Sequence, residues 1–347
     1  MRFLREYDHL WFAASLALAL ALAIVLFAWL FRRVWPARES GGMRAIGVRL
    51  AISFSMLLAT FAALETYFAG FYVTSDGYGT TLAGTRWFEL YWNPINQLGY
   101  RDRDHVWGDD RALIVVGDSF MAGHGVRRVE DRLSGVLEKG LGDGGQAAVV
   151  AQNGWDSTQE FEGLASYPRK PDRIVVSYYI NDIEGAARIH GNAPPSQLLR
   201  QPPKAVRWLV VRSHFVNWLY WRVIRGQFGT IYWDWLKAAY DDDAVLDTHM
   251  GELQRFMDLA TETNAELDFV VWPNLDYIEG SRPFTDKVVK RLRERGANVL
   301  DLGERFAGRD PRGLVVNEMD GHPNPRTHAE VAGWLLESWV DSESEKD

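Results

Sequence analysis

The chain contains no cysteine among its 347 residues. Disulfides, thiolate metal sites and cysteine nucleophiles are therefore excluded, and the absence fits either side of a membrane. The soluble part has no long basic tract, and the net charge is −8, which argues against nucleic acid as a partner. There are no internal repeats. The one low-complexity block is the polar tail 341–347, expected to be disordered. His124, His190, His214, His249 and His328 fall at no spacing that suggests a metal site, and no cofactor motif is present. What the chain does have is apolar residues, 47% of the total, and 15 Trp. That is enough to bury a substantial core in one large domain or two small ones.

Leu10 to Phe31 is an almost unbroken apolar run. At ~1.5 Å per residue it spans roughly 33 Å, enough to cross a bilayer core. It is longer than the apolar region of a signal peptide and is expected to be a retained transmembrane helix. A second run, 45–72, carries Arg49 near its start and Glu65 near its end, both expected close to an interface. A buried amphipathic helix is the alternative for this run. The connector holds Arg32, Arg33, Arg38 and Arg44 against Glu39. The positive-inside rule therefore puts it in the cytoplasm and everything after about residue 73 outside. The expectation is a multi-pass protein of the cytoplasmic (inner) membrane with an extracytoplasmic domain. Its organisation reads as a membrane region 1–73, a lead-in loop 74–110 with no derivable chemistry, and a soluble domain 111–340.

From Arg111 short apolar strands alternate with helical stretches. Strands are expected at 111–117, 147–151, 173–179, 266–272 and 298–302, with helices near 128–140, 158–166, 242–264, 284–295 and 325–340. Alternation of this kind implies a parallel sheet covered on both faces, a flavodoxin-like three-layer α/β/α fold.

Three of these strands end in polar groups. The first runs into Gly117-Asp118-Ser119-Phe120, the second into Asn153-Gly154, the third into Asn181-Asp182. Ligands bind beyond the carboxyl ends of such strands. Ser119 on the turn into a helix could be a nucleophile, or a plain helix cap. Asn181 could be a turn residue and Gly154 a position of positive φ. Asp320-Gly321-His322-Pro323 supplies the base and orienting acid that a hydroxyl nucleophile needs. Asp118 reads as a brace for the turn.

These blocks resemble the SGNH/GDSL hydrolase family. Ser119 stands in the position of its nucleophile, Gly154 in its second block, Asn181 in its third, and His322 with Asp320 in its last. The likeness covers roughly 95–340. It implies an acyl-enzyme on Ser119, with the Ser119 and Gly154 backbone N–H groups and the Asn181 amide as an oxyanion hole. Many members place the acid three residues before the histidine. Here that position is Met319, so Asp320 takes the role. This spacing resembles the branch of polysaccharide O-acetyltransferases and their accessory proteins. The resemblance implies an esterase for O-acyl, in the first place O-acetyl, esters of cell-surface or extracellular glycans. An O-acetyltransferase working with a membrane acyl-donor partner, a lipid-ester hydrolase and a non-catalytic glycan-binding protein remain open.

The stretch 184–241 is too long for an ordinary connection. It interleaves Trp208, Phe215, Trp218, Tyr220, Trp221, Phe228, Tyr232, Trp233 and Trp235 with Arg207, Arg212, Arg222 and Arg225. Its aromatic face could pack on the core, form a lid over the acyl or sugar pocket, or meet the membrane interface.

Overall fold

Ala112 to Gly117 are all buried in the computed structural model, which explains a strand without polar alternation: both of its faces are covered. The structure describes residues 43–142, 145–195, 201–224 and 229–344, together with 21, 24, 27 and 29. The run 10–31 therefore lies, apart from those four positions, outside the described residues. The chain divides into two units. One takes the residues up to 74 with 81–86 and 201–223; the other takes 75–80, 87–200 and 224 onward.

The larger unit is built on five parallel strands: β1 (Arg111–Gly117), β2 (Gly145–Ala151), β3 (Arg173–Tyr178), β4 (Glu266–Val271) and β5 (Asn298–Asp301). Their order across the sheet is β2-β1-β3-β4-β5, the flavodoxin-like order. Val115 lies opposite Val149 on one side and Val175 on the other. Each fully buried aliphatic side chain of this kind contributes about 1.5–3 kcal/mol, so the central strands hold the frame against which the loops are set. One face is covered by helices that include Ser157–Ala165 and Asp243–Thr263, with Leu246, Met250, Leu253 and Phe256 buried there. The other is covered through Leu133, Leu137, Val331 and Leu335 of helices Leu133–Leu141 and Pro325–Ser344.

Several details depart from the sequence reading. The helix expected at 128–140 begins at Leu133, after a 3-10 turn at Val129–Asp131. The helix expected at 284–295 starts earlier, at Ile278. The tail is helical to Ser344, and 345–347 lie outside the described residues. The lead-in loop contains a helix, Leu82–Tyr91. A two-stranded antiparallel hairpin, β6 (Val315–Asn317) with β7 (Asp320–Pro323), was not foreseen.

In the smaller unit, Met43–Gly70 is one helix. Its stretch Arg49–Gly70 is the one segment among the described residues long and apolar enough to cross a membrane, and almost none of it is buried. Arg49 is exposed, whereas Glu65 is drawn into the protein. It is buried, and its carboxylate accepts hydrogen bonds from Ser213 Oγ (2.6 Å), His214 N (2.7 Å) and Phe215 N (3.0 Å). The reason is electrostatic: two of those donors are backbone N–H groups at the start of helix His214–Ile224, where negative charge is favoured, and the third is the Ser213 hydroxyl just before it.

Candidate active site

Ser119 opens a helix of one turn, Ser119–Ala122. Asp118 caps it by accepting the Phe120 N–H at 2.9 Å. The cap is thus Asp118, which leaves the Ser119 side chain free for other work. Burial pushes the Asp118 carboxyl above the ordinary carboxylate range. Behind the turn, the buried Arg101 guanidinium donates to the carbonyls of Ala122 (3.1 Å), Gly123 (2.6 Å) and Val126 (2.7 Å). The lead-in loop thus has a task that the sequence reading did not assign: it pins the segment that follows Ser119.

Asp320 and His322 sit two apart on β7. Residues i and i+2 of a strand share a face, which is how an acid two residues before the histidine reaches it. Asp320 Oδ1 lies 2.5 Å from His322 Nδ1 and also accepts the His322 backbone N–H at 3.2 Å. His322 Nε2 lies 2.8 Å from Ser119 Oγ. A Cβ on Gly321, between them, would meet Asp276 Oδ2 at 2.4 Å, so a larger residue there would have to displace that carboxylate. Three residues separated by about two hundred positions therefore meet at one edge of the sheet.

Burial alone would lower the His322 pKa, but the Asp320 carboxylate and its hydrogen bond outweigh this, and the pKa lies above the usual 6.5. Burial would likewise favour neutral Asp320, yet the neighbouring His322 holds it well below the carboxylate range. Both shifts suit a base held in place by an ionised acid.

Two further groups brace this pair. Ser75 Oγ donates to Asp320 Oδ2, so each carboxylate oxygen has a partner. His124 stacks on His322 and donates from Nε2 to the Asp76 carbonyl at 2.9 Å. Sequence reasoning missed Ser75, Asp76 and His124. His328 packs beside Trp272 with neither ring nitrogen hydrogen-bonded. His124, Asp320 and His322 bring three metal-ligating atoms within 4.8 Å of one another. Their facing atoms are already spent: His322 Nδ1 on Asp320, both Asp320 oxygens on His322 and Ser75, and His124 Nε2 on a carbonyl. That is the pattern of a hydrogen-bonded relay.

Ser119, Gly154, Asn181 and His322 all line one cleft of about 410 Å³. Gly154 has φ +76, and a Cβ added there would meet nothing within 4 Å. The positive φ is what calls for glycine here, since no protein atom crowds the position. Asn181 Nδ2 donates to the Trp155 carbonyl at 3.3 Å, and its Oδ1 is buried without a partner. Tyr78, Phe88, Tyr179 and Tyr232 form aromatic walls. Of the aromatic residues in 184–241, Tyr232 alone among the described residues lines this cleft; its hydroxyl donates to Glu184 at 2.8 Å. Trp233 and Trp235 pack against the core of the larger unit.

No family model and no curated protein sequence matches the chain. Among solved structures it is similar to a lipolytic protein of the G-D-S-L family from Desulfitobacterium hafniense, at 11% identity and a TM-score of 0.40, covering 66% of this chain and 99% of that one. It is similar to a lipase/acylhydrolase from Enterococcus faecalis, at 11% identity and a TM-score of 0.38, covering 66% and 94%. It is also similar to a psychrotrophic esterase from Pseudoalteromonas sp., at 14% identity and a TM-score of 0.39, covering 67% and 100%.

Proposed function

We propose that the chain is a membrane-anchored serine esterase of the SGNH/GDSL type. The observation that carries this reading is the unbroken line from Ser119 Oγ through His322 to Asp320, at 2.8 and 2.5 Å, on the wall of an open cleft. Ser119 Oγ attacks an ester carbonyl while His322 Nε2 takes its proton. Asp320 stabilises the imidazolium, which then returns that proton to the departing alcohol. Water attacks the acyl-enzyme by the same route in reverse, and the carboxylic acid leaves. The oxyanion meets the Ser119 and Gly154 N–H groups and the Asn181 amide, donors typically worth ~3–4 kcal/mol each.

The substrate is an O-acyl ester, in the first place an O-acetyl group on a cell-surface or extracellular glycan. Helix Arg49–Gly70 lies in the cytoplasmic membrane and the catalytic unit outside it. A lipid ester is the second reading, and the chain connection favours it. Only Phe71–Thr74 separate the end of the apolar helix from Ser75, and five extended links span at most ~18 Å. A sugar hydroxyl replacing water would make the same machinery an O-acetyltransferase, fed by a membrane acyl-donor partner.

A serine-directed fluorophosphonate probe tests the nucleophile on the full-length chain. Labelling is expected, and is lost in Ser119→Ala. No labelling, or labelling undiminished in that variant, would favour a glycan-binding protein without turnover. Supplying an aryl acetate with and without a sugar acceptor then separates hydrolase from transferase.

A further inference from the structure

Helices Lys204–Val210 and His214–Ile224 fall in the same unit as the long apolar helix. They are fixed to its final turns. The Phe68 ring lies 4.6 Å from that of Trp218 and 5.6 Å from that of Phe215, and Phe61 meets Phe215 at 6.0 Å. The buried Glu65 carboxylate holds the start of the second helix. Half of the aromatic insertion is thereby clamped beside the segment that can cross a bilayer.

The outer surface of this pair is unusual in two ways. Trp208 is 59% exposed and Val223 65%, with Val206, Val211 and Leu219 also exposed. Beside them stand Lys204, Arg207, Arg212 and Arg222, all exposed. No acidic residue occurs anywhere in 201–224, although the chain as a whole is at −8. Exposed Trp and aliphatic side chains next to exposed basic residues suit the headgroup region, where apolar surface dips in and cations meet phosphate. The apolar surface is also continuous in kind with the exposed Phe54, Leu57 and Leu58 of the long helix.

We propose that helices Lys204–Val210 and His214–Ile224 lie in the plane of the bilayer surface and bind anionic phospholipid. They act as a second, lateral attachment beside the spanning helix. This assignment does not depend on the esterase reading and does depend on helix Arg49–Gly70 being in the membrane.

The cysteine-free chain makes the test direct. Nitroxide labels are placed on Trp208→Cys, Leu219→Cys and Val223→Cys, with Phe54→Cys as a lipid reference and Val340→Cys as an aqueous one. The full-length protein is reconstituted into phosphatidylcholine vesicles with and without phosphatidylglycerol. Collision with oxygen reports lipid, and collision with a nickel chelate reports water. With phosphatidylglycerol, the three labels are expected to resemble position 54, with an oxygen-to-nickel ratio several-fold above position 340. Removing phosphatidylglycerol, or changing the four basic residues to Gln, is expected to lower that ratio. Nickel access at all three sites while position 54 stays in lipid overturns the proposal and leaves a protein partner as the occupant of this face. A ratio indifferent to phosphatidylglycerol overturns the anionic-lipid assignment. Nickel access at position 54 overturns the spanning helix and the proposal with it.

Discussion

The imidazole of His124 lies flat against that of His322, with ring centroids 4.2 Å apart and planes within 3°. Two stacked imidazolium ions would repel each other, so one ring must stay neutral. Burial first, and the charge of His322 second, push the His124 pKa down to about 4. Asp320 holds the His322 pKa up. Of the pair, His322 is therefore the ring that exchanges protons near neutrality.

The pH dependence of turnover follows. His322 must be neutral to accept the Ser119 proton, and its pKa lies above the usual 6.5. Hydrolysis of an aryl acetate is expected to rise with pH through a single acid limb in kcat/KM, with no contribution from His124. A flat profile from about pH 5 to about pH 8 would contradict this assignment.

Ser75→Ala removes one hydrogen bond from an ionised, buried carboxylate. Such bonds are worth about 1.5–3 kcal/mol, so kcat is expected to fall roughly ten- to a hundredfold. KM should change little, because Ser75 is not part of the cleft lining. Ser75→Thr keeps the hydroxyl and should recover most of the rate. Steady-state kinetics of the two variants decide the matter.

Asn181→Ala removes the one side-chain donor proposed for the oxyanion. A drop of ~10²–10³ in kcat is expected, with fluorophosphonate labelling slowed but not abolished. An unchanged kcat would return Asn181 to the role of a turn residue that bonds the Trp155 carbonyl.

Gly154→Ala tests backbone against space. The φ of +76 costs an L-residue about 1–2 kcal/mol, whereas the added methyl meets no atom. The expected result is a lower Tm together with a lower kcat, since the strained turn relaxes by rotating its N–H away. A normal Tm with blocked turnover would instead mean that the methyl obstructs substrate.

Acid should destabilise the fold through two buried histidines. The folded pKa values are about 4 for His124 and about 3 for His328, both below the usual 6.5. In that window the unfolded chain binds more protons than the native one, so stability present above pH 6.5 is lost as pH falls toward those values. For His124 the difference amounts to roughly 3 kcal/mol at about 1.4 kcal/mol per unit. His328 has no hydrogen bond on either nitrogen, so His328→Phe is expected to raise Tm and to flatten its decline between pH 6.5 and pH 4. A Tm that falls equally in both proteins would count against His328.

The frame was legible because it is written locally. Ile114, Val115 and Val116 are apolar without alternation since both faces of the sheet are covered, and the turn residues after each strand announce its end. Ser119, Gly154, Asn181, Asp320 and His322 were nameable from short blocks, and they come to one cleft or onto one another. What escaped notice has no local signature. Ser75 is one hydroxyl in a polar loop, and its partner is 245 positions away. His124 follows Ser119 closely, but only packing shows that its ring lies on His322. The sequence Asp320-Gly321-His322-Pro323 has no strand pattern, so the hairpin that aligns Asp320 with His322 was invisible. In 184–241 the aromatic residues do not share one destination: Phe215 and Trp218 stack on Phe68, while Tyr232 reaches the cleft.

The attachment of Ser75 to Asp320, and of His124 to the Asp76 carbonyl, fixes where this protein can be cut and still function. Cleavage within 71–74 leaves both supports on the same fragment as Asp320 and His322. Cleavage between Thr81 and Asp110, in front of the first strand, leaves the sheet whole but separates Asp320 from Ser75 along the chain. A cut is thus tolerated on one side of Ser75 and disabling on the other.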